Sequence, residues 1–598
     1  MARPLLTLTR KAGRIAAILA CNHMSLKVYA GAFAFLLGLW GWTLANEPQD
    51  IGDWFNNIFR TIQLITLQFP TSIDKSMNVP LHIARFLLPL VAALATFHLI
   101  IGAIARPLRM ALMPQTSDHI VICGVEKLTQ NAVDTLAARN RDIVFLSPKV
   151  DSTRRDMLEG QGIVVVESDP TDAATFESVN LSRAAALILT HDDDVKNLDL
   201  ATLALDRLGK RPTAMPPLVL ANIIDRETLA RELDVAFDKL SRERKARYVR
   251  LSPEREGLRL ELERFAPAFF RSPGETSHTL VIGLAGHWRQ VLKQLVVSMQ
   301  DQADRVPRLS LVLDEDEADD FNAWLKTIPD LSLVVETSVI ERQKAVVVPA
   351  MAIDDWAEQG TLPQLIVLLR PEAEAIEQML SLRAPGGDDR LKRQPILLRR
   401  VGSDHLITRL AGQAIGQSDF TKIAAFGGVV RAETIERILD NAREDLAAAL
   451  HNHYLDRSEQ KEAGSTEALD AWRSIPENLR HANRAAVAHL PVMLASEGLM
   501  IERTRAGECD FQPDPDMLER MARLEHQRWM ADRIDLGWSA APMRNDGRRE
   551  HNCLVPFDAL SPKDQQKDRD AVTTILKLLQ ATGARIVPRP VSVSPTIS

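Results

Sequence analysis

The chain has 598 residues, too many for one hydrophobic core, and its length predicts roughly three or four domains. Its 72 Lys and Arg residues against 79 Asp and Glu residues give a net charge of −7. Without a basic excess, we expect no nucleic-acid partner. The four cysteines form no C-x-x-C pair and no cysteine–histidine cluster, so we expect no metal site and a reducing compartment for most of the chain.

Two uncharged apolar segments near the N-terminus predict two transmembrane helices. Residues 28–45 and residues 86–105 contain no charged side chain, and each is about as long as the hydrocarbon layer is thick. Basic residues in segment 1–27 and directly after the second span predict that both termini are cytoplasmic and that residues 46–85 face outward. We therefore expect an inner (cytoplasmic) membrane protein whose residues 1–27 form a basic cytosolic or interfacial N-terminus.

The segment between the spans, which includes TIQLITLQFPTSIDKSMNVP (61–80), has the outline of a channel pore helix. A potassium filter needs backbone carbonyls from a T-V-G-Y-G type sequence, and no glycine lies between Gly52 and Gly102. A potassium filter of the known kind is therefore not expected. Two alternatives remain: a less selective pore, or an amphipathic extracytoplasmic helix that packs the spans together. The candidate pore-lining residues are Gln63, Thr66, Gln68 and His98.

From residue 119 onward, short apolar runs alternate with amphipathic segments, which predicts parallel sheets covered by helices. The runs that predict strands are 119–124, 142–147, 163–168, 185–191 and 217–223, followed later by 278–283, 309–314, 331–336, 364–370 and 394–400. The second series of alternating runs and segments indicates a repeat of the whole domain. The expected fold class is an α/β cytosolic part with two Rossmann-like doubly wound parallel sheets, joined to two transmembrane helices and a small, mainly α-helical C-terminal domain.

The first of these domains, predicted at residues 118–271, resembles a known regulatory family. HIVICGVEKLTQNAVDTLAARNRDIVFLSPK (119–149) and the run GIVVVESDPTD…LILTHDDDVKN resemble the TrkA-N or RCK domain of potassium channels and transporters. The resemblance implies a cytosolic module that often binds a nucleotide and pairs into a gating ring. Residues 278–457 resemble a second, more diverged copy. By family analogy, four subunits would close the ring, so the resemblance favours a homotetramer over a dimer.

The dinucleotide fingerprint is incomplete in both copies. The fold uses G-x-G-x-x-G at a helix start and an acid after the second strand. The first copy keeps only one of the glycines and has Ser147 in place of the acid. The candidate cofactor-binding residues are Gly124 in the first copy and Gly283, Gly286 and Asp314 in the second. We do not expect NAD to bind, and we expect both domains to serve assembly and the transmission of force.

After a polar linker at 458–476, the sequence predicts a helical C-terminal domain at 477–588 and a disordered tail at 589–598. One helix is expected at 477–498, and another begins at Asp514-Pro515. The series E-H-x-x-W, G-W, R-N-D, H-x-x-L-V-P-F-D-x-L and K-D-R-D resembles the RyR domain, the repeat named for ryanodine receptors and also found in bacterial proteins. The resemblance implies a small helical module that binds an adenine-type nucleotide.

The chemistry of this domain suits such a ligand. Indole faces can stack on a base, and arginine and histidine can bind phosphates. The alternative is that the tryptophans form the domain core and that the histidine of E-H-x-x-W supports a helix. The candidate ligand-binding residues are His526, Trp529, Arg533, Trp538, Arg544 and His551.

No nucleophile with a base, metal-ligand set or P-loop is visible in the sequence, so we expect no enzyme. The leading hypothesis is a homo-oligomeric, ligand-gated, channel-like membrane protein in which the RCK-like and RyR domains sense a nucleotide-type ligand. The alternative is a non-conducting membrane-anchored sensor or scaffold, or an effector that disrupts the membrane after a nucleotide signal.

Overall fold

The structure is a computed structural model of the chain. It describes residues 24–68, 78–112, 116–124, 142–208, 211–212, 215–269, 277–303, 305–343, 346–384, 387–400, 423–428, 432–439, 446–451, 472, 475, 477–503, 511–581 and 584–589. In chain order these residues form a helical hairpin, two sheets with surrounding helices, and a C-terminal helical module.

In residues 24–68 and 78–112, the N-terminal hairpin contains the helices α1 (Met24–Asn46), α2 (Ile51–Gln63) and α3 (Val79–Leu112). Both predicted spans therefore lie in helices. Within the described residues, only Val79–Thr96 of α3 is long and apolar enough to cross a membrane by length and composition. The first span therefore stays a prediction, and the second has a candidate helix.

Two glycines let α1 approach its neighbours closely. A Cβ atom at Gly41 would lie 2.8 Å from the backbone nitrogen of Leu81, and one at Gly38 would lie 2.9 Å from Cγ2 of Thr61. The Asn78 amide donates to the Gly41 carbonyl at 2.8 Å. The Asn78 side-chain oxygen also accepts from the Leu81 amide at 3.1 Å, which supports the start of α3.

The outer faces of the hairpin are apolar. The exposed apolar residues recur every three or four positions, which puts them on one face of each helix. They are Tyr29, Phe33, Leu36, Trp40 and Leu44 on α1, and Val79, Ile83, Phe86, Leu90 and Leu94 on α3, each between 48% and 71% exposed. Contiguous exposed apolar surface of this kind marks contact with lipid or with another protein.

Helix α2 has the inverse of the usual soluble pattern. It buries Asn57 and Thr61, whereas Phe55 and Phe59 are 68% and 61% exposed. Asn57 accepts a hydrogen bond from the Asn46 amide at 2.9 Å. A helix that turns its polar residues inward and its large apolar residues outward suits an apolar environment, which is the reverse of a helix on a water-exposed surface.

The predicted pore-lining residues are only partly described. Gln63 is half-buried at the end of α2, and Thr66 and Gln68 are exposed just after it. Residues 69–77, where a filter would follow, and the side chain of His98 lie outside the described residues. The pore-lining assignment therefore stays a prediction.

The first sheet has six strands in the order β3-β2-β1-β4-β5-β6. β2 is parallel to both β1 and β3. The strands are β1 (Ile120–Cys123), β2 (Ile143–Ser147), β3 (Val164–Glu167), β4 (Ala186–Leu189), β5 (Leu218–Ile223) and β6 (Ala246–Leu251). The helices of this part are α4 (Ser152–Gly160), α5 (Ala173–Ser178), α6 (Asp194–Arg207), α7 (Glu227–Glu243) and α8 (Pro253–Phe269).

The second sheet repeats this topology. Its six strands lie in the order β9-β8-β7-β10-β11-β12, and every neighbouring pair is parallel. The strands are β7 (His278–Ile282), β8 (Arg308–Leu313), β9 (Glu336–Glu341), β10 (Leu365–Leu368), β11 (Ile396–Arg399) and β12 (Ile423–Phe426). The helices are α9 (Trp288–Ser298), α10 (Glu315–Leu325), α11 (Ala350–Glu358), α12 (Glu372–Arg383), α13 (Asp389–Lys392) and α14 (Ala432–Leu439).

Counted from its own first strand, each sheet has the order 3-2-1-4-5-6, the arrangement of a dinucleotide-binding fold. The prediction of two Rossmann-like sheets is therefore confirmed. One predicted strand, at 331–336, is wrong. Pro329 begins a 3₁₀-helix there, and Leu331, Val334 and Val335 pack into the core, so the strand starts only at Glu336. The strands β6 and β12 were not predicted.

The described part of the C-terminal module contains three long helices, and its small strands pair at two places. β13 and β16 form an antiparallel pair, and β14 and β15 form a short parallel pair. The elements are α15 (Glu477–Ser496), β13 (Leu499–Arg503), α16 (Pro515–Asp535), β14 (Ser539–Ala540), β15 (Glu550–His551), α17 (Pro562–Ala581) and β16 (Ala584–Pro588).

Candidate functional site

Helix α16 carries the residues that the sequence singled out. It begins as predicted: the Asp514 carboxylate accepts from the Met517 amide, and Pro515 takes the first helical position. His526, Trp529 and Arg533 are spaced three and four residues apart, so they line one face of the helix. Trp538 follows after a turn at Gly537, whose φ of 80° requires the left-handed region.

These side chains form a column of rings and one cation. The ring of His526 stacks on Trp529 with centroids 5.7 Å apart. The Arg533 guanidinium lies 5.7 Å from the Trp529 ring and 5.2 Å from the Trp538 ring. His551 closes the column from the side, 5.0 Å from Trp529 and 5.9 Å from Trp538. Five of the six predicted ligand residues are therefore brought together.

Arg533 is the chemically unusual member of the column. Its exposed fraction is 7%, and its Nε atom is buried without a hydrogen-bond acceptor. Among the described residues, no carboxylate lies within ion-pair distance of its guanidinium, and Asp532 and Asp546 act on it only from farther away. Burial lowers the pKa of Arg533 because the charged form loses water. A buried arginine without an anionic partner is a ready site for an anion from solution.

His551 supplies a neutral hydrogen-bond donor beside Arg533. Its Nδ1 accepts from the backbone amide of Cys553 at 3.0 Å, so the proton of the neutral ring is on Nε2. Burial, together with repulsion from Arg544 and Arg533, lowers the pKa of His551 to about 4. At neutral pH the half-buried ring is therefore uncharged, and its Nε2–H group can donate to a ligand.

Two of the predicted residues have other roles in this structure. His526 is held between the Val555 carbonyl, 2.8 Å from Nε2, and the Asp568 carboxylate, 3.2 Å from Nδ1, so it supports the column from within. Arg544 is exposed and binds Asp546 at 2.6 Å, and this hydrogen bond raises the pKa of Arg544. Arg544 lies at the rim of the site, available to a ligand that displaces Asp546.

The two tryptophans differ in accessibility. Trp538 is 6% exposed and belongs to the hydrophobic core, whereas Trp529 is only partly buried. The structure therefore favours Trp529 as the surface for a planar group and gives Trp538 the role of covering Arg533. The assignment of these residues to a ligand stays a prediction.

Helix α16 also packs into the second Rossmann-like domain. Met530, Ala531 and Ile534 share one hydrophobic core with Trp288 and other residues of that domain. The Ala540 amide donates to the Asp330 carboxylate at 2.8 Å. The column around Arg533 is thus one helical turn or less from side chains that form the core of the second domain.

A buried ion pair fixes the end of α16. Asp535 is 4% exposed and lies 2.5 Å from Nη2 of Arg255, at the start of α8. The Lys293 ammonium donates to the Asp535 carbonyl at 3.2 Å. Although burial opposes it, the pKa of Asp535 is lowered by Arg255 and Lys293. Sequence reasoning missed this contact because its partners are 280 residues apart.

A second polar contact ties α15 to the same domain. Nε2 of His489 donates to the Gln300 carbonyl at 2.7 Å, just after α9. Burial, with repulsion from Arg528, lowers the pKa of His489 to about 3. The folded protein therefore holds a neutral ring where the unfolded chain titrates near 6.5.

This lowered pKa predicts a loss of stability in mild acid. Below about pH 6.5 the unfolded chain binds a proton at His489, whereas the folded protein binds it only near the lower pKa of the folded state. The free energy of unfolding is therefore unchanged above pH 6.5 and decreases below it. The His489→Gln variant keeps a donor at the Nε2 position but does not titrate. Between pH 7 and 5, unfolding free energy should fall by about 2 kcal/mol less in the variant than in the wild type. Equal losses in urea titrations at the two pH values would contradict this.

The candidate cofactor residues of the second domain are occupied by protein groups. A Cβ atom at Gly283 would lie 2.6 Å from Cδ of Arg370. The same arginine binds Asp314 at 2.9 Å and Glu317 at 2.8 Å. Although burial opposes it, Arg370 and Arg342 lower the pKa of Asp314. The expected ribose acid is therefore already bound to two arginines.

In the first domain only Gly124 of the fingerprint is described. It follows β1 with a φ of 89°, as a tight turn after the first strand requires. Ser147, at the position of the ribose acid, donates to the Lys149 carbonyl at 3.1 Å. Residues 125–141, which contain the rest of the loop, lie outside the described residues.

Comparison with known proteins supports the two resemblances. Residues 120–235 match the family model of the TrkA-N domain, and residues 513–588 match that of the RyR domain. A solved structure described as GsuK bound to ADP is 16% identical, with 70% of this chain and 96% of that chain covered and a TM-score of 0.30. One described as the GsuK channel bound to NAD is 14% identical, with 73% and 86% covered and a TM-score of 0.32.

Superpositions with such low TM-scores carry no conclusion about ligand or transport for this chain. The family matches, in contrast, cover the segments where the motifs were found. The chain therefore carries one segment similar to the TrkA-N domain and one similar to the RyR domain.

Proposed function

We propose that the protein is a ligand-gated, channel-like membrane protein whose C-terminal module senses a phosphate-bearing nucleotide. The observation that carries this proposal is Arg533, a guanidinium that is 7% exposed, lies between two indole rings and has no anionic partner among the described residues. Burying such a charge costs free energy unless a counter-ion is supplied. A ligand phosphate supplies that counter-ion.

The neighbours of Arg533 suit the rest of a nucleotide. The partly exposed ring of Trp529 offers a surface for a base, and the Nε2–H group of His551 offers a hydrogen bond to a phosphate or sugar oxygen. Arg544 at the rim adds a second cation. Together these groups favour a ligand that is anionic at one end and planar at the other.

The route from ligand to membrane part runs through the second Rossmann-like domain. Helix α16 shares a hydrophobic core with that domain, and the Asp535–Arg255 ion pair joins its end to α8. A ligand that binds one arrangement of these contacts better than another shifts the population between them. The domain would then act on the membrane helices as part of a homo-oligomeric ring, with a tetramer as the expected form.

The membrane assignment is supported by the hairpin. The apolar rows on α1 and α3 and the inverted pattern of α2 fit lipid or neighbouring subunits better than water. Both termini are proposed to be cytoplasmic.

A second candidate function is a non-conducting membrane-anchored sensor or membrane-disrupting effector. It is favoured by the lack of glycine between Gly52 and Gly102, which leaves no filter of the known potassium type. Release of ions from liposomes that contain the purified protein separates the two functions. Ligand-dependent release of small ions without release of a large dye supports a channel; no release, or release of both, supports the second candidate.

The sensor itself is tested by thermal shift of the detergent-purified protein with a panel of nucleotides. We expect at least one phosphate-bearing nucleotide to raise the Tm, and the Trp529→Ala variant to lose this shift because the stacking surface is gone. No shift with any member of a broad panel would contradict the sensor.

A further inference from the structure

The loop between β7 and α9 of the second Rossmann-like domain is where this fold would hold a ligand pyrophosphate. Three of its backbone amides are already bonded to the protein. The Ala285 amide donates to the Leu369 carbonyl at 2.7 Å, and the Leu284 amide donates to the Glu317 carboxylate at 3.1 Å. The His287 amide, at the start of α9, donates to the Glu254 carboxylate at 3.0 Å.

Glu254 has the bonding of a bound phosphate. Its side chain is 3% exposed, and one carboxylate oxygen accepts from the His287 amide. The other oxygen binds the Arg399 guanidinium at 2.7 Å, through Nε and Nη2. An anion held between a helix N-terminus and an arginine fork is the arrangement that proteins use for phosphates.

Glu254 and Arg399 fill the space beside two glycines, Gly286 and Gly427. A Cβ atom at Gly286, where φ is 70°, would fall on the guanidinium of Arg399. A Cβ atom at Gly427, where φ is 89°, would lie 3.2 Å from Cγ of Glu254. Gly286 of the fingerprint and Gly427 after β12 therefore leave room for side chains of the same chain.

We propose that Glu254 is a built-in ligand of the second Rossmann-like domain, with its carboxylate in the place of a dinucleotide phosphate and Arg399 as the phosphate-binding cation. The phosphate position of this domain is therefore always occupied by a side chain of the same protein. Because Arg255, the next residue of α8, pairs with Asp535, the occupied loop is connected to the end of α16. This inference does not depend on a ligand at Arg533.

Removal of the carboxylate should turn the loop into a site for an anion from solution. The probe is inorganic pyrophosphate, and the readout is the Tm of the full-length protein in detergent. We expect Glu254→Ala to lower the Tm by about 5 °C or more, because Arg399 is left buried without a counter-ion. Millimolar pyrophosphate should recover at least half of that loss, beyond any shift of the wild-type Tm that it causes by binding at Arg533.

The matched control is Glu263→Ala. Glu263 belongs to the same helix and also pairs with an arginine, Arg437, at 2.7 Å, but it is not bonded to the glycine loop. Pyrophosphate should raise the Tm of this variant by no more than it raises that of the wild type. Equal responses of the two variants, or no response of Glu254→Ala, would overturn the proposal.

If Glu254→Ala is insoluble, purification in pyrophosphate tests the same point. The anion should restore soluble protein for Glu254→Ala but not for the double variant Glu254→Ala/Arg399→Met, which lacks the proposed binding cation. Failure to restore the single variant, or equal recovery of the two, would overturn the proposal. Failure of the nucleotide panel to act at Arg533 would leave these outcomes unchanged, so the two proposals fail separately.

Discussion

Replacing Arg533 with methionine should raise the stability of the ligand-free protein and abolish its response to ligand. The guanidinium contacts two indole rings, which contribute about 0.5–2 kcal/mol as cation–π interactions. Against this, a buried charge without a partner costs several kcal/mol, and its replacement by an apolar side chain of similar volume is often stabilising. We expect a net gain of about 1–3 kcal/mol in unfolding free energy.

Arg528 provides a matched control on the same helix. It is 1% exposed, but it binds Glu525 through two hydrogen bonds of 2.7 and 2.9 Å. Arg528→Met leaves that buried carboxylate without its partner, so we expect a loss of about 3–5 kcal/mol. Urea unfolding of the two variants gives the comparison. If both variants are destabilised alike, Arg533 is a structural cation and the ligand site is elsewhere.

Replacing Asp535 with asparagine should strongly destabilise the contact between the C-terminal module and the second Rossmann-like domain. The carboxylate is 4% exposed and is the counter-ion of Arg255 at 2.5 Å. Without it, the largely buried guanidinium of Arg255 loses its counter-ion. We expect a loss of about 3–5 kcal/mol in unfolding free energy and easier proteolysis between the two domains.

The control for this prediction is Asp558→Asn. Asp558 pairs with Arg523 at 2.6 Å, but the carboxylate is 76% exposed, so its loss should change the unfolding free energy little. Lowering the pH should destabilise the protein as Asp535→Asn does, because protonation removes the charge of the same carboxylate. Because the folded pKa of Asp535 is lowered, its contribution is intact above about pH 4 and is lost as the pH falls through the folded value. Similar destabilisation by the two substitutions would show that the Asp535 pair is not a coupling contact.

The sequence predicted the two sheets well because buried parallel strands leave a local signal. Runs such as residues 119–124 and 364–370 are continuous in apolar residues, and strands lie there. The run at 331–336 has the same composition, but its apolar residues contact the core from a 3₁₀-helix after Pro329. Composition alone does not separate these two ways of burying a short apolar run.

The sequence allowed us to predict which residues belong to the candidate site, but not which charged groups would pair with them. The spacing of His526, Trp529 and Arg533 placed them on one helix face, as the structure has them. That Arg533 lacks an anionic partner while Arg528 has one depends on which carboxylates the fold brings near, which is not a local property. The same holds for Glu254 and Arg399, which are 145 residues apart in the chain.

Calorimetric titration of the full-length protein with the nucleotide that gives the largest thermal shift tests the central claim most directly. In the wild type we expect saturable binding. In Arg533→Met, which we expect to be folded and at least as stable, the affinity should fall by about tenfold or more because a charge-assisted hydrogen bond is lost. Equal affinity of the two proteins would contradict the claim that Arg533 holds the anionic part of the ligand.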